Sequence, residues 1–184
     1  LQPLAFAAGE LENYLSRMLP QEGPPLTIAL KTEAVGETDR FSVSMTPEGG
    51  IITGNSGRAV LLGVYDYLRR LGCRFLGPGS GCETVPLIPR ASLTAAYKRQ
   101  ASFRHRGVCI EGANRLQNIL AFIDWLPKAG YNSFFLQFKN PYIFLARWHR
   151  HENNPLRAPE PYGPADAEAA DAALEGAIKK RGLL

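Results

Sequence analysis

The sequence predicts an α+β domain, a short sheet with helices on one face, followed by two βα units of a parallel α/β sheet. Three observations carry that reading. Residues 1–76 mix helical periodicity with short alternating runs. A Gly- and Pro-rich stretch at 77–92, GPGSGCETVPLIPRAS, then interrupts the chain with three Pro and three Gly in sixteen positions. From 101 onward the order is strand, helix, strand, insert, helix, the grammar of a parallel α/β sheet. The two domains are accordingly placed at 1–95 and 101–184.

In the first half, Leu11, Tyr14, Leu15, Met18 and Leu19 follow the i, i+3, i+4 spacing of an amphipathic helix over Gly9–Leu19, which Pro20 closes. LTIALK, Leu26–Lys31, is a short strand. Phe41, Val43 and Met45 alternate with Ser42 and Ser44, and after the turn at Pro47–Gly50 the segment Ile51–Thr53 returns, which predicts a hairpin. Val60, Leu61, Val64, Tyr65, Leu68 and Leu71 lie on one broad helical face, with Gly72 as the C-terminal cap. Cys73–Leu76 is a further short strand. The Gly54-Asn55-Ser56-Gly57 turn before the helix matches neither the P-loop nor the dinucleotide fingerprint, so it is taken as a turn rather than a phosphate site.

In the second half, Gly107–Ile110 is a short buried strand. Leu116, Ile119, Leu120, Ile123 and Leu126 make one face of a helix, which Pro127 disturbs and Gly130 ends. Ser133–Phe138 is the second strand. A Pro-, Asn- and aromatic-rich insert spans 139–163, and an Ala-rich helix runs over Pro164–Lys180. A complete (β/α)₈ barrel takes about 250 residues. The fold class is therefore an incomplete barrel, its first two βα units joined to the α+β domain, and the chain is expected to be a fragment.

Composition narrows the function classes. The 184 residues are 45% hydrophobic and 21% charged, which excludes wholesale disorder, collagen-like repeats and coiled coil. No uncharged apolar run approaches the ~20 residues of a membrane span, so no membrane partner is expected. Leu1–Ala8 lacks the basic region and long apolar core of a secretory leader, and the missing Met suggests a trimmed start. Cys73, Cys82 and Cys109 are an odd set without a CxxC pair. They argue against a disulfide framework and for a reducing, cytoplasmic setting. Lys98, Arg99, Arg104, His105 and Arg106 form a basic stretch, but the net charge is only +4 and no nucleic-acid motif accompanies it. Solvated charge at a domain junction is the better reading, and no nucleic-acid partner is expected. His149 and His151, with Glu152 adjacent, invite a zinc reading, yet a third ligand is not evident and no metal or cofactor is expected.

The stretch Ser102–Arg115, SFRHRGVCIEGANR, resembles the first barrel strand of the family 20 glycoside hydrolases, the β-N-acetylhexosaminidases. Phe103, Arg106-Gly107 and Arg115 stand in register with that family's phrase, and Glu111 replaces its Asp. The second strand departs, with Phe135-Leu136-Gln137 where family 20 has a His-Trp-His-like phrase. The first half is similar to the small α/β domain that precedes the barrel in those enzymes and in α-glucuronidases, most clearly over Ile52–Pro86. Poorly described bacterial glycosidase-like proteins that join such a domain to a barrel are also similar. The resemblance implies a glycoside hydrolase acting on O-glycosidic bonds of a carbohydrate substrate.

Barrel enzymes place their chemistry at the C-terminal ends of strands. That puts Glu111 and Asn114 after the first strand, and Gln137, Lys139 and Asn140 after the second, where a sugar would sit. Trp148 in the insert either stacks on a sugar ring or packs the loop. In family 20 the Arg matching Arg106 binds sugar hydroxyls; from the residue alone, Arg106 fits a structural ion pair equally well. Strand alternation puts Val108 and Ile110 on the side of Arg106, turned toward the barrel axis, and Cys109 and Glu111 on the other. Glu111 orients Arg106 or Arg115, or touches substrate. Glycosidases need two positioned carboxyl groups, and no such pair is evident, so the catalytic residues are expected beyond Leu184 and the chain alone is expected to be inactive. The remainder of the barrel, or another chain, is expected at the open sheet edge. A non-catalytic carbohydrate-binding or interdomain-packing module on the same scaffold is the alternative.

Overall fold

The computed structural model describes residues 2–20, 22–110, 115–136, 146–147 and 149–184. Helix α1 (Gln2–Met18) starts earlier than its apolar stripe suggests, because Ala5, Ala7 and Ala8 are strong helix formers and Pro3 falls in the first turn. It buries Ala7, Leu11, Tyr14, Leu15 and Met18. The strands β1 (Thr27–Thr32), β2 (Arg40–Thr46) and β3 (Gly49–Gly54) follow, then helix α2 (Gly57–Arg70). The two-residue strands β4 (Arg74–Phe75) and β5 (Glu83–Thr84) pair with each other, and β6 (Ala95–Gln100) returns to the main sheet. That sheet has the order β1-β3-β2-β6, with β1 parallel to β3 and the other pairs antiparallel.

The expected hairpin is β2–β3, turned at Pro47-Glu48, with Val43 opposite Ile52. Val43, Met45 and Ile52 are buried under α2, whereas Ser44 is exposed on the other face. α2 presses close to the sheet because Gly54 and Gly63 leave room: a Cβ on Gly54 would lie 2.6 Å from the Val60 backbone nitrogen, and one on Gly63 3.0 Å from Ile52. Tyr14, Tyr65 and Phe75 close the core with edge-to-face contacts at 5.5 to 6.4 Å between centroids.

The basic stretch is partly this sheet. β6 carries Lys98 and Arg99, and the sheet runs through Gln100, past residue 95. Tyr97 on the helix-facing side lies beneath the Arg70 guanidinium at 3.7 Å. Arg99 reaches Asp66, Arg104 reaches Glu37 and Arg106 reaches Asp39, so the stretch is paired within the protein.

Strands β7 (Gly107–Ile110) and β8 (Ser133–Leu136) form a separate parallel pair, with helix α3 (Leu116–Lys128) between them and helix α4 (Pro164–Arg181) after them. α4 opens with Pro164 and with the Asp166 carboxylate accepting from the Gly163 N–H at 2.8 Å; it closes on Gly182 at φ 65°. Ile119, Ile123, Leu126, Leu174 and Leu183 form the core here, with Val108 and Phe134 packed against it from the strands. The whole is a mixed α/β arrangement with one main sheet and four described helices. No described helix is long and apolar enough to cross a membrane.

Candidate functional site

Arg106 immediately precedes β7, so it sits at the N-terminal end of the parallel pair. Its Nη2 donates to Asp39 Oδ2 at 2.9 Å, its Nη1 to the Phe103 carbonyl at 2.7 Å and its Nε to the Gly130 carbonyl at 3.2 Å. Val108 packs on the helices while Cys109 is exposed, so the side shared by Arg106 and Val108 is the helix side, not the open one. This corrects the expectation that Arg106 and Val108 turn inward, toward a barrel axis. The helix-facing apolar cluster decides which way the strand faces.

Asp39 is the centre of this junction, with its side chain only 2% exposed. Oδ1 accepts from Arg58 Nε at 3.0 Å, with Arg58 Nη2 at 2.9 Å; Oδ2 accepts from Arg106 and from Asn132 Nδ2 at 2.6 Å. Burial alone would raise its pKa. The hydrogen bonds from Arg58 and Arg106, with Arg58's charge and Asn132, outweigh that and hold the carboxyl below its ordinary value. Asn132, fully buried before β8, also donates to the Arg104 carbonyl and accepts from the Arg106 N–H at 2.8 Å. Arg58 reaches on to the Gly182 carbonyl at 3.0 Å. One carboxylate thus ties α2, the starts of β7 and β8 and, through Arg58, the end of α4. Nothing in the sequence marked it.

A second set of contacts docks α3 on the first sheet's domain. Trp125 Nε1 donates to the Phe75 carbonyl at 2.9 Å, and Lys128 Nζ bridges Glu83 and Asp124 at 2.6 Å each. Burial would lower the Lys128 pKa, but hydrogen bonds to Asp124 and Glu83 raise it instead. Tyr14 donates to the other Glu83 oxygen at 2.8 Å. The turn residues at 54–57 are equally structural. Asn55 gathers the loop carbonyls of Val35, Gly36 and Thr38, and Ser56 caps α2 by accepting from the Ala59 N–H at 3.0 Å.

The opposite, C-terminal ends of β7 and β8 are where the other expected residues belong. Glu111, Asn114, Gln137, Lys139, Asn140 and Trp148 all lie outside the described residues. Among the described residues, an open cleft of about 440 Å³ is lined by Arg115, Gln117, His149, Glu160, Tyr162 and Asp166, among others. Its wall is built around Glu160, a residue the sequence reading passed over. His149 Nδ1 lies 3.1 Å from one carboxylate oxygen; His151 Nε2 and Arg157 Nη2 lie 3.2 and 2.6 Å from the other. The hydrogen bond from His151 lowers the Glu160 pKa to about 2, with burial opposing and His149 and Arg157 assisting. His149 stacks on Tyr162 at 4.6 Å. The histidine pair therefore grips Glu160 rather than Glu152, and no cluster among the described residues is suited to a metal ion.

No protein-family model matches the chain, and no curated protein matches it in sequence. Among solved structures, a GH138 enzyme targeting pectin rhamnogalacturonan II matches with a TM-score of 0.63 and 17% identity, covering 100% of this chain and 29% of that one. The fold is glycoside hydrolase-like. A family 89 glycoside hydrolase from Clostridium perfringens, in complex with PUGNAc, matches over 72% of this chain and 16% of its own, with a TM-score of 0.47 and 17% identity. The chain spans less than a third of the length of either structure. The GH138 match bears on the fold alone, and not on family 20 or the α-glucuronidases in particular.

Proposed function

We propose that this chain is part of a glycoside hydrolase that cleaves O-glycosidic bonds, with the rest of a barrel and its catalytic carboxyl groups supplied beyond Leu184. The observation that carries this reading is the match to a glycoside hydrolase fold over the whole chain. The parallel β-α-β-α unit supports it: helices cover one face of β7–β8, while on the other Cys109 is exposed and Phe135 is 61% exposed. A bare apolar face of that kind is the side that a closed barrel fills with side chains.

In this reading the sugar contacts come from the segments after β7 and β8, through Glu111, Asn114, Gln137, Lys139, Asn140 and Trp148. Arg106 works from the other end, fixing where β7 starts instead of touching substrate. The family 20 likeness of Phe103, Gly107 and Arg115 supports a carbohydrate substrate. Two carboxyl groups must flank the scissile bond, about 5–9.5 Å apart, and one must carry a proton. Glu160 is unsuited to that acid role, since His151, His149 and Arg157 hold it as the anion. Asp166 is committed to the start of α4.

The test is a hydrolysis screen of the 184-residue chain and of its longer gene product, using aryl glycosides and pectin-derived oligosaccharides. Turnover by the longer protein alone is expected. Saturable glycan binding by the longer protein with no turnover on any substrate would replace the enzyme with a carbohydrate-binding module.

A further inference from the structure

The main sheet turns one face to α2, and register places the side chains of the other. Lys31 stands opposite Thr53, Thr53 opposite Ser42, and Ser42 opposite Lys98. These four residues form one row across all four strands, and side chains in such a row share a face. Their chain neighbours Val43, Ile52 and Tyr97 pack into the core on the helix side, so the row points away from it. Arg40, two residues before Ser42 on β2, joins the same face. At strand spacings of about 4.8 Å, Lys31 and Lys98 close the row at its two ends, about 14 Å apart.

Arg40, Ser42, Thr53 and Lys98, with Glu33 as the one acid, line an open hollow of about 460 Å³ on this face. Its charges are unbalanced. Arg99, Arg104 and Arg106 of the basic stretch each meet a carboxylate, whereas Lys31, Arg40 and Lys98 pair with no acid among the described residues. The Ser42 and Thr53 side chains likewise make no hydrogen bond to a described residue. We propose that this face is a docking surface for a polysaccharide bearing carboxylates, a uronic acid chain laid across the strands between Lys98 and Lys31. Its carboxylates supply the missing negative charge, and the planar fork of Arg40 matches one of them. Between the cations, Ser42 and Thr53 each offer a donor and an acceptor to ring hydroxyls. Phe41 and Tyr97 pack on the helix side, so they provide no stacking platform here of the kind that holds single-stranded nucleic acid. The choice of a glycan rests on the reading of the chain as part of a glycoside hydrolase; the positive row rests on register and stands without it.

Titration calorimetry of the 184-residue chain with an oligogalacturonate tests it, beside the methyl ester of the same oligomer, a sulfated oligosaccharide and polyglutamate. Saturable binding of the acid that weakens with added salt is expected, with the ester bound at least about tenfold more weakly. Lys31→Met and Lys98→Met should each weaken binding about two- to fivefold, and Glu33→Gln should tighten it. Lys179→Met removes a cation that pairs with Glu175 on α4, and it should change nothing. No saturable binding would overturn the proposal, as would affinity for polyglutamate or the sulfated sugar equal to that for the uronate. A loss in Lys179→Met as large as that in Lys98→Met would reduce the effect to net charge and overturn it too. Binding that fails while the longer protein hydrolyses glycosides removes this surface alone; binding that persists without hydrolysis keeps the surface and removes the enzyme.

Discussion

Replacing Asp39 by Asn keeps the shape of the side chain and removes its charge. The carboxylate accepts from Arg58, Arg106 and Asn132, and all three donors meet it where water is nearly excluded. An amide has one oxygen and one donor group. If the oxygen stays on Arg58, the new NH₂ faces Arg106 Nη2 and Asn132 Nδ2, donor against donor. Bonds to charged partners contribute about 1.5–3 kcal/mol each. Arg58 and Arg106 are 16% and 20% exposed and can recruit water once released, so the low end applies. The loss is about 3 kcal/mol, at the bottom of the range for breaking a buried ion pair. In a chain of this size that lowers Tm by about 6–12 °C. The pH dependence is equally specific. The folded-state pKa of Asp39 lies below its unfolded value, so its contribution is complete above about pH 4–5 and drains away as pH falls through the folded value. Urea unfolding of both proteins across pH 3 to 7 measures it, and the gap between them should be widest at the neutral end. A gap under about 1 kcal/mol at pH 7, or one that widens on acidification, refutes the assignment of Asp39 as the junction's centre.

Three further outcomes follow from local geometry. Gly54→Ala sets a Cβ 2.6 Å from the Val60 backbone nitrogen, which side-chain rotation cannot relieve; urea unfolding should show a loss of about 1–3 kcal/mol. Ser56→Ala removes the acceptor of the Ala59 N–H and should cost about 1 kcal/mol in the same assay, with Ser56→Asp restoring most of it. In the His149→Ala/His151→Ala double variant, the Glu160 carboxyl should titrate by carbon NMR well above its starting value of about 2, toward the ordinary ~4.3; an unmoved titration would mean that the histidines do not hold it.

The elements with strong periodicity were legible in the sequence. α2 has six apolar residues on one face and a Gly cap, and the hairpin alternates cleanly, so both fall where expected to within a few residues. β6 was not legible. Lys98, Arg99 and Gln100 fill half of it, and its inward side is made by Ala95, Tyr97 and the stem of Arg99, which no hydrophobic pattern reveals. The start of α1 was misjudged for a related reason, because alanines extend a helix without adding to its apolar stripe. The Asp39 junction was out of reach altogether. Its partners lie 19, 67 and 93 residues away in the chain, and an isolated Asp before a strand carries no local mark of such contacts. The grip on Glu160 was closer to hand. His149, His151 and Arg157 converge on Glu160 from within the same Pro-rich insert, and the adjacency of Glu152 drew attention from it.

In the proposed function β7 and β8 divide by role, with stability at their N-terminal ends and substrate contact after their C-terminal ends. The measurement that meets this division most directly is a paired one on the longer protein, kcat/KM for its glycoside together with Tm, for Arg106→Lys, Glu111→Gln and Lys139→Met. Arg106→Lys loses the planar fork that meets Asp39 and the Phe103 carbonyl, so Tm should fall while kcat/KM at a temperature well below it is unchanged. Glu111→Gln and Lys139→Met should do the reverse, lowering kcat/KM at constant Tm. Unaltered stability with lost activity in Arg106→Lys, or full activity in both of the other variants, would contradict the account.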